Sequence, residues 1–200
     1  MTQSGSTPDL KNAIGEFVGI ARRASELGLQ SGTGGNLSLR CGPRILLKAS
    51  GCSLYGLGES GIIVLSEAGE PLSGTGKPSK ESALHLGIYR ARPEIGGIVH
   101  YHAPFATAFA VRGIPIPPVT IHARRYFPRM PVVRELPDGS RELADAVVEA
   151  FRDVEVRLVL LAGHGLVAIG ETLTGAHLLA ESAEETAKTA LAARLIDYTT

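Results

Sequence analysis

Val156-Arg157-Leu158-Val159-Leu160-Leu161-Ala162-Gly163-His164-Gly165-Leu166-Val167-Ala168-Ile169 is the stretch that decides the fold. Val156 to Ala162 is an apolar run of strand length, bounded by a turn signal. Gly163-His164-Gly165 breaks it sharply, and Leu166 to Ile169 reads as its hairpin partner. Strands joined this tightly run antiparallel, because a parallel crossover needs a dozen residues or more. Working outward, Leu37 to Arg40, Ile45 to Ala49, Gly61 to Ser66 and Gly97 to His102 also read as strands. A turn spans Glu67 to Glu70.

Helical patterns are interleaved with them. Thr7-Pro8 is a helix start, followed by Leu10, Ile14, Phe17, Ala21, Ala24 and Leu27 at helical spacing, with Gly28 as cap. Lys77 to Arg90 reads as a helix with Ser79 placed to cap it. Pro104 to Val111 is a short helix. Ile114 to Pro118 holds three prolines and reads as a loop or an edge. Ser140 caps a helix over Arg141 to Arg152, after a turn at Asp138-Gly139. Thr172 caps a long Ala-rich helix from about Leu173 to Ile196. The expectation is a single α/β domain over residues 1–200 with a largely antiparallel sheet.

Composition narrows the function. The chain has 200 residues, 44% hydrophobic and 20% charged, a globular balance with a full core. Lys+Arg and Asp+Glu are each 20, so the net charge is +0, which argues against generic nucleic-acid binding. Any anionic ligand is then a small one held by a local pocket. Cys41 and Cys52 make no CxxC pair, and the N-terminal residues lack an apolar signal stretch. No apolar run approaches the ~20 residues of a membrane span. These features predict a soluble, cytoplasmic protein.

His100 and His102 stand two apart on a strand, so both side chains share one face, with Cα atoms roughly 6.5–7 Å apart. That spacing suits two imidazoles on one metal ion. A solvated pair is the alternative, opposed by Ile98-Val99 before them and Ala103-Pro104-Phe105 after. His164 lies at a strand end between two glycines and becomes a third ligand candidate. Three imidazoles with an open position are the pattern of a catalytic zinc site, and manganese, iron or cobalt would also suit them. Glu81 reads either as a first-turn complement to a helix dipole or as an acid/base. His85, four residues on, reads as structural, and His122 and His177 as structural or exposed. Thr33-Gly34-Gly35-Asn36, Ser50-Gly51 and Ser79-Lys80 each offer N–H groups or hydroxyls to an anion. The first is not a dinucleotide loop, because it follows a helix and precedes a strand.

Together, Gly32-Thr33-Gly34-Gly35-Asn36-Leu37-Ser38, Ala49-Ser50-Gly51, Lys77-Pro78-Ser79-Lys80-Glu81, His100-Tyr101-His102 and Gly163-His164-Gly165 resemble, in this order, the class II sugar-phosphate aldolases. That family includes fuculose-phosphate aldolase, ribulose-phosphate 4-epimerase and the adducin head. The resemblance covers about Leu10 to Ile196. It implies a three-layer α/β/α fold around a mostly antiparallel sheet, and a homotetramer with active sites between subunits. It also implies a divalent metal, usually zinc, on His100, His102 and His164. Glu81 would be the acid/base, with a place on the metal when substrate is absent. Thr33, Gly35, Asn36, Ser50, Gly51, Ser79 and Lys80 would bind the substrate phosphate.

Two features depart from the aldolase pattern. Lys80 stands where fuculose-phosphate aldolases carry a serine, as in relatives resembling sugar-acid phosphate decarboxylases. The family's tyrosine acid, contributed by a neighbouring subunit, is missing from Ile116-Pro117-Pro118-Val119-Thr120-Ile121-His122. Tyr126 is the nearest replacement, and an edge-strand aromatic is its other reading. The few residues after the long helix suggest a more open pocket. The resemblance therefore implies an aldolase cleaving a ketose 1-phosphate to dihydroxyacetone phosphate and an aldehyde. Fuculose, ribulose, and 5-deoxy or methylthio pentulose 1-phosphates are the candidate substrates. The alternatives are a metal-dependent decarboxylase of a keto-acid sugar phosphate, an epimerase or dehydratase of the family, and a non-catalytic adducin-like binding module.

Overall fold

The structure, a computed structural model, describes residues 9–197. The Thr7-Pro8 helix start lies outside them. Helix α1 (Leu10–Glu26) has Asp9 as its N-cap, with the carboxylate accepting the Lys11 N–H at 3.1 Å. The strands are β1 (Asn36–Cys41), β2 (Arg44–Lys48), β3 (Ile62–Ser66), β4 (Pro71–Ser73), β5 (Gly97–Tyr101), β6 (Val132–Val133), β7 (Leu158–Leu161) and β8 (Gly165–Gly170). The other helices are α2 (Ser82–Ala91), α3 (Pro104–Val111), α4 (Ile121–Tyr126), α5 (Arg141–Ala150) and α6 (Leu173–Asp197).

The eight strands form one sheet in the order β4-β3-β2-β1-β5-β8-β7-β6. Every neighbouring pair is antiparallel except β6–β7. The hairpin read from Val156 to Ile169 is present, with Leu158 opposite Ala168 and Leu161 opposite Gly165. Gly163 has φ +70, and a Cβ on Gly165 would run into the Tyr101 carbonyl, so both glycines are needed for this turn.

Period-two alternation sorts the strands into two cores. Leu37, Leu39, Val99, Leu158, Leu160 and Leu166 pack with Phe17, Phe109 and Leu173 of α1, α3 and α6. Ile45, Leu47, Ile98, Val159, Leu161 and Val167 pack with Leu84, Ile88, Leu143 and Val147 of α2 and α5. The result is the expected α/β/α sandwich. Both faces of the sheet are covered, so β7 and β8 read as continuous apolar runs although they are antiparallel.

Sequence reading missed β4, β6 and α4. Tyr126 ends α4 rather than lying on an edge strand; the Thr120 hydroxyl caps this helix by accepting the Ala123 N–H at 3.1 Å. Helix α2 begins at Ser82, not at Ser79. Residues 77–79 are extended instead, held against the end of β2 by Ser50 N–H to Lys77 O (2.8 Å) and Ser79 N–H to Lys48 O (3.1 Å). Pro78 favours this, because the residue before a proline is pushed out of the helical region.

Candidate active site

The sheet brings the predicted ligands together at one end of β5, on the α2 side. Asn36 of β1 pairs in register with His100 of β5. The rings of His100, His102 and His164 lie 4.7–4.9 Å apart, centroid to centroid. The His100 Nδ1–H donates to the Leu166 carbonyl at 2.9 Å, which leaves its Nε2 lone pair facing His102 Nε2 at 3.1 Å. Glu81 is buried beside them, with Oε2 3.3 Å from His100 Nε2 and Oε1 3.9 Å from His164 Nε2.

This arrangement fits a divalent cation. His100 Nε2 and His102 Nε2 lie 3.1 Å apart, and the buried Glu81 Oε1 has no hydrogen-bond partner among the described residues. A buried carboxylate oxygen without a donor is costly, and a metal ion among the three Nε2 atoms supplies what it lacks. Burial lowers His102 to about 4, reinforced by the other two imidazoles, and burial likewise lowers His164. Both rings are therefore neutral at pH 7. Burial pushes Glu81 up, but His100, the Asn36 hydrogen bond, His164 and His85 outweigh it, and its carboxyl lies below the ordinary range.

Glu81 occupies the N-cap position of α2, not its first turn, and makes no side-chain cap. Its carboxylate is turned inward, away from the helix end. Ser79 serves that end instead, its hydroxyl accepting the Glu81 N–H at 3.3 Å. The dipole-complement reading of Glu81 therefore gives way to a site-directed one.

A cleft of about 320 Å³ joins this group to the anion loops, lined by Thr33, Gly34, Gly35, Asn36, Ser50, Gly51, Ser79, Lys80, Glu81, His102 and His164. Gly35 has φ +59, and a Cβ there would run into Gln30 Oε1, while a Cβ on Gly34 would come within 2.9 Å of His102 Nδ1. The loop thus needs both glycines to reach the metal site. Gln30, which sequence reading passed over, also braces the end of β5 by accepting the His102 N–H at 2.8 Å.

Three placements differ from expectation. The Asn36 side chain is turned inward, donating to Glu81 Oε2 at 2.7 Å and accepting from His85 Nε2, so its side-chain hydrogen bonds go to Glu81 and His85 rather than into the anion loops. Lys80 lines the cleft, but its ammonium is paired with Asp138. Tyr126 is 44% exposed, stacks near His122, and lines a separate hollow with Leu178 and Arg157, not the cleft of its own chain.

Lys48 was missed entirely. It is 2% exposed and lines the cleft beneath the loops. Its Nζ donates to the carbonyls of Cys52 (2.6 Å), Thr33 (3.2 Å) and Ala49 (3.3 Å). Burial lowers its pKa, while Cys52 and Glu81 oppose that. The signal was available: a lone lysine in an apolar strand, two residues before Ser50-Gly51.

The family model of the class II aldolase and adducin N-terminal domain matches residues 15–191. This chain belongs to that family. It is 34% identical over 173 residues to an L-fuculose phosphate aldolase of Methanococcus vannielii, covering 86% of this chain and 92% of that one. It is 37% identical over 176 residues to a 5-methylthioribulose-1-phosphate/5-deoxyribulose-1-phosphate aldolase of Rhodospirillum rubrum, covering 86% and 77%. The crystal structure of L-fuculose-1-phosphate aldolase from Thermus thermophilus superposes with TM-score 0.85 at 27% identity, over 95% of this chain and 98% of that one.

The buried imidazoles predict how the metal-free class II domain responds to acid. Burial holds His85 near pKa 3 and His177 near 4, against about 6.5 in an unfolded chain. Below pH 6.5 the unfolded state therefore binds more protons, so acidification favours unfolding. The unfolding free energy from urea titrations should be level near pH 7 and fall steadily from about 6.5 towards 4. A level profile across that window would show that these rings are not held neutral.

Proposed function

We propose that this chain is a divalent-metal-dependent aldolase that cleaves a ketose 1-phosphate to dihydroxyacetone phosphate and an aldehyde. The observation that carries this reading is a single cleft lined by His102, His164 and the buried Glu81 carboxylate, with His100 converging on the same point, and by the Thr33-Gly34-Gly35-Asn36, Ser50-Gly51 and Ser79 loops. His100, His102 and His164 would hold the ion, zinc in the first instance, with Glu81 beside it. When bound, it supplies a Lewis acid for the negative charge that C–C cleavage leaves on two adjacent oxygens. The relatives named for fuculose phosphate and for methylthio- or deoxyribulose phosphate support this substrate class.

The chain's own residues do the rest. Backbone N–H groups and hydroxyls of Thr33, Gly35, Ser50, Gly51 and Ser79 receive the phosphate, with the Lys48 charge beneath them. Asn36 belongs to the cradle wall through its backbone, and Lys80, shared with Asp138, frames the mouth. Binding the phosphate fixes the carbonyl end against Glu81 and the histidines. Glu81, which lines the same cleft, then moves the proton between hydroxyl and carbon. Tyr126, contributed to a neighbouring copy, is proposed to relay the proton that the substrate hydroxyl loses as it becomes the aldehyde, and to return it to that oxygen in the condensation direction. Exposed Ile121, Val119 and Leu178 around it support a homotetramer with sites between subunits. No described helix is long and apolar enough to cross a membrane; a cytoplasmic, single-domain enzyme is part of the same proposal.

The direct test is release of dihydroxyacetone phosphate from fuculose, ribulose, 5-deoxyribulose and 5-methylthioribulose 1-phosphates, with zinc or manganese and a chelator control. Chelator-sensitive release from at least one is expected. No release from any, with carbon dioxide evolved from a keto-acid sugar phosphate, would replace the aldolase with a decarboxylase. With the best substrate, Lys48→Met should raise KM roughly ten-fold or more and leave kcat within about two-fold, because its charge serves binding of the phosphate. An unchanged KM would remove Lys48 from the cradle.

A further inference from the structure

Behind Glu81 runs a buried line of side chains that the reaction as described does not use. Asn36 Nδ2 donates to Glu81 Oε2 at 2.7 Å, and Asn36 Oδ1 accepts from His85 Nε2. His85 Nδ1 lies 2.7 Å from Ser38 Oγ, and Ser38 Oγ lies 2.9 Å from the Tyr89 hydroxyl. Arg40 holds the far end, with its guanidinium 4.8 Å over the Tyr89 ring and one N–H on the Tyr89 carbonyl at 2.9 Å. Asn36, Ser38, His85 and Tyr89 are all buried.

The chemistry of the groups fixes the direction of every bond. A carboxylate only accepts, so Asn36 must present its NH2 to Glu81. Its carbonyl oxygen then faces His85 and requires a donor there, so the ring carries its proton on Nε2. Nδ1 is left as an acceptor and takes the Ser38 hydroxyl proton. Ser38 in turn accepts from Tyr89, whose other acceptor, the Gly96 carbonyl, is farther away at 3.4 Å. Each group donates towards Glu81. The primary amide in the middle passes no proton along, so the line orients and does not conduct.

We propose that His85 is a positioning residue for Glu81: its Nε2–H tautomer, set by Ser38 and Tyr89, holds the Asn36 amide in the one orientation that donates to the carboxylate. Reversal of the ring tautomer would let the amide turn over and put its carbonyl against the carboxylate, displacing Glu81 from the substrate. This inference rests on Glu81 being the acid/base.

The experiment combines nitrogen-15 NMR with kinetics. The ring shifts of His85 in uniformly labelled protein should report the neutral Nε2–H tautomer at pH 7. Ser38→Ala removes the donor to Nδ1, and the Nε2–H signature should give way to a mixture. In steady state on the best ketose 1-phosphate, Ser38→Ala and His85→Leu should lower kcat about 10–100-fold with KM and bound metal unchanged. His85→Gln, which keeps a donor near Nε2, should recover part of that loss. An Nδ1–H tautomer in the wild type would overturn the proposal without recourse to activity, even if His85→Leu fails to fold. So would a changed tautomer in Ser38→Ala with kcat intact. Full activity in Glu81→Gln would instead sink the acid/base reading, and the two failures are thereby distinct.

Discussion

Three imidazoles and a carboxylate converge at the inner end of one cleft, and the rest of the structure depends on how that is tolerated. His100 Nε2 and His102 Nε2 stand 3.1 Å apart, and the buried Glu81 Oε1 lacks a donor among the described residues. The sheet holds the groups there regardless, because each is set on a different rigid element: His100 on β5, His164 on the β7–β8 turn, and Glu81 at the head of α2. Two cores, one on each face, resist relaxation of those elements. A cation at the centre turns the conflict into coordination. Stability invested in packing is thus spent on preorganising a charged site.

The same strands serve binding and chemistry by alternation. Leu37 and Leu39 of β1 face the α1–α6 core, while Asn36, Ser38 and Arg40 face α2. The polar side of β1 looks like a solvent face in sequence. In the structure α2 covers it, and Asn36 and Ser38 pair with Glu81, His85 and Tyr89, while Arg40 Nε has no partner among the described residues. Where the members of such a buried line are paired, they fix one arrangement.

Much of this was legible beforehand. The Val156–Ile169 hairpin gave antiparallel pairing, and the histidine spacing on β5 gave one face. What failed did so for physical reasons. The start of α2 was misplaced because Ser79 carries a cap signal, whereas backbone bonds to the end of β2 hold residues 77–79 extended. β6 is two residues long and has no pattern to read. The edge-strand reading of Tyr126 failed because the proline-rich segment before it obscured the Thr120 cap of α4. Lys48 was passed over, and His85 was read only as structural, because a lone charge in an apolar strand and a lone histidine on a helix have no partner visible along the chain. Their partners, Thr33 and Cys52 for one and Asn36 and Ser38 for the other, are supplied only by folding.

The claim on which everything turns is that His100, His102 and His164 share one ion. X-ray absorption at the zinc edge, on protein loaded with one equivalent of zinc, tests it most directly. The account predicts three imidazole nitrogens with additional oxygen donors and no sulfur around the metal. A sulfur ligand, or a single imidazole, would contradict it.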